Sequence, residues 1–260
     1  MMRSALFDKV DRLTIDQLPR TLLLLGDYGC GKHTLVKYIS ERFNLEVENI
    51  TENISSELID NISQRTSPNL YILEGMKLTL RDENILLKFL EEPLKNAFIV
   101  ILSESKQSIL PTILNRCQVW NFESYDQTYL NSLVNTDCNR ELLLSIANTP
   151  GKILEYQQYP IEEMFKLADK IFLNIHKANF ANTLSLSRHL AFKNEKDKYN
   201  VSLFVEVLLE CCRKLIIEGK LTNYGVYKLT SRLNNNKLIF NIDKKALFEH
   251  YLIELKEICG

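Results

Sequence analysis

Nine residues, Gly26-Asp27-Tyr28-Gly29-Cys30-Gly31-Lys32-His33-Thr34, constrain the fold more than any other stretch of this chain. They follow a short apolar run at residues 21–25 (TLLLL) and open a segment in which Leu35, Ile39 and Phe43 recur at four-residue spacing. The run reads as a buried strand and the segment as one face of a helix. A G-x-x-x-x-G-K turn in that context is a phosphate-binding loop. Its backbone amides can surround a phosphate, and the helix N-terminus adds a favourable dipole. The candidate nucleotide-binding residues are Gly26, Gly29, Gly31, Lys32, His33 and Thr34, with Lys32 as a point charge for the outer phosphates. The alternative is a glycine-rich strand-to-helix turn without a ligand.

The motif is broken where a metal would be held. The residue after the lysine is normally Ser or Thr, whose hydroxyl ligates Mg²⁺. Here it is His33. Thr34 comes one position late, and one helical step turns it by about 100°. A neutral imidazole is a poor ligand for a hard cation that prefers oxygen. The apolar run at residues 70–73 (LYIL) is followed by Glu74 and Gly75, so Glu74 is the one acid at that strand end and Gly75 offers no side chain. The loop therefore leaves ATP or ADP binding open, while efficient Mg²⁺-dependent hydrolysis is not expected.

The rest of the first half alternates. Strands are predicted at residues 45–50, 70–73, 98–102 (FIVIL) and 119–122. Helices are predicted at 55–65, with Ser55 or Ser56 as cap, and at 82–92, stopped by Pro93. Strands separated by helices imply an α/β fold with a parallel sheet and helices on both faces. After Tyr125 helical periodicity dominates. Short helices are expected at 126–135 and 140–148, with another from 152. Longer ones follow, with Phe204, Leu208, Cys212 and Leu215 on one stripe and Leu247, Tyr251 and Leu255 on another.

Charge and cysteines exclude other classes. With 32 basic and 33 acidic residues the formal charge is -1, so global charge does not bind this chain to nucleic acid. The longest apolar run, residues 97–102, is far below the ~20 residues of a membrane-spanning helix, and no signal peptide is read at the start. The six cysteines, Cys30, Cys117, Cys138, Cys211, Cys212 and Cys259, form no C-x-x-C pair, and the four histidines are scattered relative to them. No zinc or other metal site is expected, and free thiols fit a reducing, cytoplasmic setting.

Two further segments carry a family resemblance. Leu86-Leu87-Lys88-Phe89-Leu90-Glu91-Glu92-Pro93 is similar to the LLKxLEEP segment of DNA polymerase clamp-loader subunits. Leu110-Pro111-Thr112-Ile113-Leu114-Asn115-Arg116-Cys117 is similar to their LPxTIxSRC motif. With the loop and the acidic strand end, these follow the family order across residues 20–122. The chain resembles the bacterial delta-prime branch most, whose ATP sites are also degraded. It lacks the four-cysteine zinc module that many relatives insert.

The resemblance implies an AAA+ α/β domain over residues 1–124, a helical lid over 125–160 and a helical collar over 161–260. It makes Arg116 an arginine finger that reaches the ATP of a neighbouring subunit in trans. Ser103 and Lys152 fall near the family's two sensor positions, Lys152 standing where arginine is usual. Capping by Thr149 or Pro150 is the equal alternative for that second segment. Glu91 and Glu92, adjacent on a helix, are read as a helix end facing a partner or solvent. The implied partners are other clamp-loader subunits, a sliding clamp and, through the complex, primer-template DNA. Two alternatives stay open: an active gamma-type loader ATPase, and an inactive AAA+ scaffold of another replication machine, such as a viral one.

Overall fold

Five segments build one sheet, three apolar runs at its centre and two more polar, partly exposed segments at its edges. In the computed structural model they are β1 (Thr21–Leu25), β2 (Glu46–Ile50), β3 (Asn69–Glu74), β4 (Ala97–Ser103) and β5 (Gln118–Asn121). All neighbours pair in parallel, in the order β2-β3-β4-β1-β5. The structure describes residues 5–50, 54–74, 80–91, 96–177, 201–236 and 244–259.

Alternate side chains of a strand point to opposite faces, and both faces of this sheet are covered. On one face Leu22, Leu24, Leu70, Ile72, Phe98, Val100, Leu102 and Trp120 pack with Leu35, Val36 and Ile39 of α2 (Lys32–Phe43) and Val10 of α1 (Ala5–Asp11). On the other, Leu23, Leu25, Tyr71, Leu73, Ile99 and Ile101 pack with Ile62 of α3 (Ser56–Ser63) and with Leu86, Phe89 and Leu90 of α4 (Leu80–Glu91). Ile113 of the short α5 (Pro111–Leu114) joins that second cluster. A fully buried leucine contributes about 1.5–3 kcal/mol. The run of four in β1, each at most 5% exposed, therefore anchors the centre of the sheet.

Local chemistry sets the helix ends. Ser55 caps α3 by accepting the Leu58 N–H at 3.1 Å. Asn44 ends α2 in the left-handed conformation (φ 53°) and donates its N–H to Ser40 O. Pro111 occupies the first position of α5, where its missing N–H costs nothing.

The predicted strands are present, with ends shifted by a residue or two. Two helices were not read from the sequence: α1, of two turns, and α5, of one turn, both too short to show a period. Glu92, Pro93 and Gly75 lie outside the described residues.

The second part of the chain is helical: α6 (Gln127–Ser132), α7 (Arg140–Ile146), α8 (Pro150–Tyr156), α9 (Ile161–Asn174), α10 (Val201–Ile217), α11 (Tyr224–Asn236) and α12 (Lys244–Cys259). In α9 the apolar face is Ile161, Met164, Phe165, Ala168, Ile171 and Phe172. The predicted stripe Phe204, Leu208, Cys212 and Leu215 is buried on α10, which packs against α9 and α11. On α12, Tyr251 and Leu255 are buried, whereas Leu247 is only half-buried and Phe248 takes the inward place. α11 runs through Asn234-Asn235-Asn236. α8 starts at Pro150, two residues before the predicted start, because proline suits a first helical turn.

The chain divides into two compact units. One is Met1–Tyr129 with Thr149–Gly151, and the other is Leu130–Asn148 with Lys152–Gly260. Among the described residues no helix is long and apolar enough to cross a membrane, and no cluster of three or more His, Cys, Asp or Glu could hold a metal ion.

Candidate nucleotide loop and its surroundings

The glycine-rich loop leaves the C-terminal end of β1, between β4 and β5, where open parallel sheets place their ligand sites. Gly26 N–H donates to Ser103 O at 3.2 Å, and Phe122 N–H to Leu25 O at 2.7 Å, so both neighbouring strands hold its root. A Cβ on Gly26 would lie 2.7 Å from Cys30 Sγ and 2.8 Å from Phe122 Cβ. Gly31 adopts φ 97°, a left-handed conformation that favours glycine at the start of α2.

Six consecutive loop carbonyls each have a donor. Lys32 Nζ donates to Gly26 O at 2.6 Å and to Asp27 O at 3.1 Å. Thr149 Oγ1 donates to Tyr28 O at 2.7 Å, and Gly151 N–H to Gly29 O at 2.9 Å. Tyr125 OH donates to Cys30 O at 2.6 Å. Leu35 N–H donates to Gly31 O at 2.9 Å, as the first bond of α2. Gly151 is pressed so closely on the loop that a Cβ there would lie 2.5 Å from Gly29 Cα. Lys32 is 7% exposed and its ammonium is turned onto its own loop. Burial pushes the Cys30 thiol up, and the Lys32 charge offsets part of that rise. Burial likewise pushes the Tyr125 phenol up to about 12, so it remains a donor.

The residue that replaces the motif's hydroxyl meets the acid at the strand end. His33 Nε2 lies 2.9 Å from Glu74 Oε2, joining the start of α2 to the end of β3. Both side chains are about half exposed. Thr34 is exposed on the first turn of α2. A Mg²⁺ ion needs oxygen ligands in near-ideal octahedral geometry. Here the hydroxyl ligand is missing, and the strand-end carboxylate is bonded to an imidazole. This donor set does not fit the metal.

The other predicted residues have partners of their own. Arg116 follows α5; its Nη1 donates to Thr112 O at 2.8 Å and its Nη2 to Glu91 Oε1 at the end of α4. Cys117 donates to Ile113 O at 3.2 Å, and burial pushes its thiol up to about 11, which suits a packed residue. Ser103 Oγ is engaged by its own turn, with Ser105 O at 2.9 Å and Ser108 Oγ at 2.7 Å. Lys152 Nζ and Tyr156 OH both donate to Glu206 Oε2, at 3.1 and 3.2 Å, within the helical unit.

The structure thus brings together Gly26 to Thr34, Glu74, Tyr125 and Thr149–Gly151. Sequence reasoning missed Tyr125 and Gly151 as loop partners, and Glu91 as the partner of Arg116. No local signal marks a bond across 95 or 121 residues. The clue for Gly151 was a glycine in the first turn of a helix, where it has no conformational need.

Comparison with known proteins supports the reading of these segments. Residues 47–126 match the family described as "DNA polymerase III, delta subunit", a span holding Glu74, Glu91 and Arg116 but not the loop. The delta-prime subunit of DNA polymerase III from Haemophilus influenzae is 28% identical over 172 residues, 64% of this chain and 52% of that protein. The Bacillus subtilis delta-prime subunit is 33% identical over 88 residues, 33% of this chain and 27% of that protein. The chain thus spans about half the length of the first relative and about a quarter of the second. A DNA polymerase III gamma subunit-related protein from Thermotoga maritima shares the fold, with a TM-score of 0.51 at 15% identity, over 97% of this chain and 98% of that one. The parallel α/β unit and the helical C-terminal region are therefore a known architecture, and in sequence the chain resembles the delta-prime subunit of DNA polymerase III.

Proposed function

We propose that this chain is a clamp-loader subunit of the delta-prime type, which supports ATP-driven loading without hydrolysing nucleotide itself. One observation carries the reading: the phosphate-binding loop is liganded by the chain's own groups. Lys32 is bonded to Gly26 and Asp27, and His33 and Glu74 are bonded to each other where a metal and its acid would meet. A gamma-type ATPase would need both pairs broken before chemistry could start, so the same observation disfavours that alternative.

In this reading Arg116 acts in trans. A guanidinium is permanently charged and planar, and it neutralises charge developing on a transferring phosphoryl group. A subunit without its own turnover can still supply that charge to the ATP of a neighbour. The partners are other loader subunits and a sliding clamp, with primer-template DNA reached through the complex. The near-neutral chain suits a role in which protein contacts dominate and any DNA contact is to phosphates. The setting is cytoplasmic, with six free thiols.

The test is reconstitution. The chain is expected to co-purify with loader subunits and clamp, and to show no Mg²⁺-dependent turnover alone. In the complex, Arg116→Ala is expected to abolish DNA-stimulated ATPase activity. Turnover by the isolated chain that Lys32→Ala removes would refute the inactive-loop reading. Failure to join any loader complex would favour a scaffold of another machine.

A further inference from the structure

We propose that Glu91 is a positioning residue for Arg116. This rests on the reading of Arg116 as an arginine supplied in trans. Arg116 lies just beyond α5, with no helix of its own to direct its side chain. Two acceptors from different parts of the chain fix it. One is local: Thr112 O, four residues earlier, accepts from Nη1 at 2.8 Å. The other is remote: Glu91 Oε1, 25 residues earlier on α4, accepts from Nη2. A single local bond leaves a long side chain free to swing about it. The second acceptor selects one direction.

The pair is not needed to hold α4 against α5. That contact is apolar, through Leu86, Phe89, Leu90 and Ile113, all at most 5% exposed. The ion pair lies at the surface, with Arg116 at 32% and Glu91 at 52% side-chain exposure, where such pairs add little stability. What it does is geometric. The guanidinium has five N–H donors, and these two bonds use two of them. The others stay on a partly exposed group already aimed. A phosphoryl oxygen meeting it need not wait for the arginine to be ordered, a step that costs binding free energy for each immobilised long side chain. Positioning of this kind acts on the transition state, so it enters kcat and leaves ground-state affinity for ATP unchanged.

The experiment uses the reconstituted loader with clamp and primed DNA. It reads kcat and KM for ATP with Glu91→Ala, Glu91→Gln, Arg116→Ala and the double variant Glu91→Ala/Arg116→Ala. Glu91→Ala is expected to lower kcat about three- to ten-fold, the effect of releasing one ordered side chain, with KM unchanged. Glu91→Gln, which keeps an acceptor oxygen, is expected to recover most of that loss. The double variant is expected to match Arg116→Ala, which already removes the activity, so the readout that a purely structural role for Glu91 would not give is the fall in kcat at unchanged KM in Glu91→Ala, with its recovery in Glu91→Gln. A wild-type kcat in Glu91→Ala, with Arg116→Ala still inactive, overturns the positioning role and leaves the arginine's role standing. A wild-type rate in Arg116→Ala overturns both. If Glu91→Ala fails to fold, Glu91→Met, which keeps the stem of the side chain but no acceptor oxygen, takes its place, and a wild-type kcat in that variant overturns the proposal in the same way.

Discussion

His33 Nε2 and Glu74 Oε2 lie 2.9 Å apart, so the residue that replaces the metal-binding hydroxyl is paired with the one acid at the strand end. His33 alone would be an odd substitution, and with Glu74 it makes a closed pair. Exposed pairs of this kind contribute about 0–1 kcal/mol. His33→Ala is therefore expected to change the unfolding free energy by less than about 1 kcal/mol in urea denaturation. His33→Ser restores the missing hydroxyl and releases Glu74. It is expected to give measurable Mg²⁺-dependent ADP binding by calorimetry, with turnover still absent because Gly75 supplies no second acid. No gain in binding would show that the pair is not what keeps a metal out.

Lys32 is expected to matter for stability. In a working loop this lysine serves the nucleotide, and its loss leaves the fold intact. Here its ammonium is the donor to Gly26 O and a second donor to Asp27 O. Lys32→Met should lower the unfolding free energy by about 1–3 kcal/mol, the cost of a buried acceptor left unpaired. An unchanged denaturation midpoint would contradict the self-liganded loop.

Gly151 is the tightest point of the arrangement. Gly151→Ala places a Cβ 2.5 Å from the Gly29 backbone, which cannot yield as a side-chain tip can. Overpacking of this kind costs about 1–3 kcal/mol. Thr149→Val removes the bond to Tyr28 O with little change of shape and is expected to cost about 1 kcal/mol. In both variants hydrogen exchange should speed up in residues 26–31 and stay unchanged in α9. Equal protection in the loop would argue that residues 149–151 do not hold it.

The Tyr125 phenol gives a pH signature. Its folded value is about 12, raised from 10 by burial, with the neutral form donating to Cys30 O. An unfolded chain loses that proton first, so between about pH 10 and 12 the folded state holds more protons and stability falls as pH rises. The contribution is fully present below pH 10. Tyr125→Phe should flatten that part of the stability profile relative to the unaltered chain, as followed by denaturation at a series of pH values. Profiles that stay parallel above pH 10 would count against the buried donor.

Much of the fold was legible because its signals are local. Residues 21–25 and 98–102 are continuous apolar runs, which is what a strand covered on both faces requires. The stripe from Phe204 to Leu215 shows its period within three turns. The loop was legible as an ancestry, since glycine spacing and strand–helix context are also local. Its present state was not. The carbonyls of Tyr28, Gly29 and Cys30 are engaged by Thr149, Gly151 and Tyr125, which approach from 95 or more residues away. In the same way Glu91 read as a helix end, because only the folded chain brings Arg116 to it.

The bonds from Thr149 and Gly151 to the loop also set an order of events during synthesis. The first unit begins near the N-terminus, yet its last piece follows Leu130–Asn148, which belongs to the other unit. A ribosome must therefore make part of the second unit before the first can close. Until Gly151 has emerged, Tyr28 O and Gly29 O lack their donors from this segment, and the loop is held through Lys32, Leu35 and Tyr125 alone. A chain cut after Tyr129 would stay in that state, and separating the two units by simple truncation removes a part from the first.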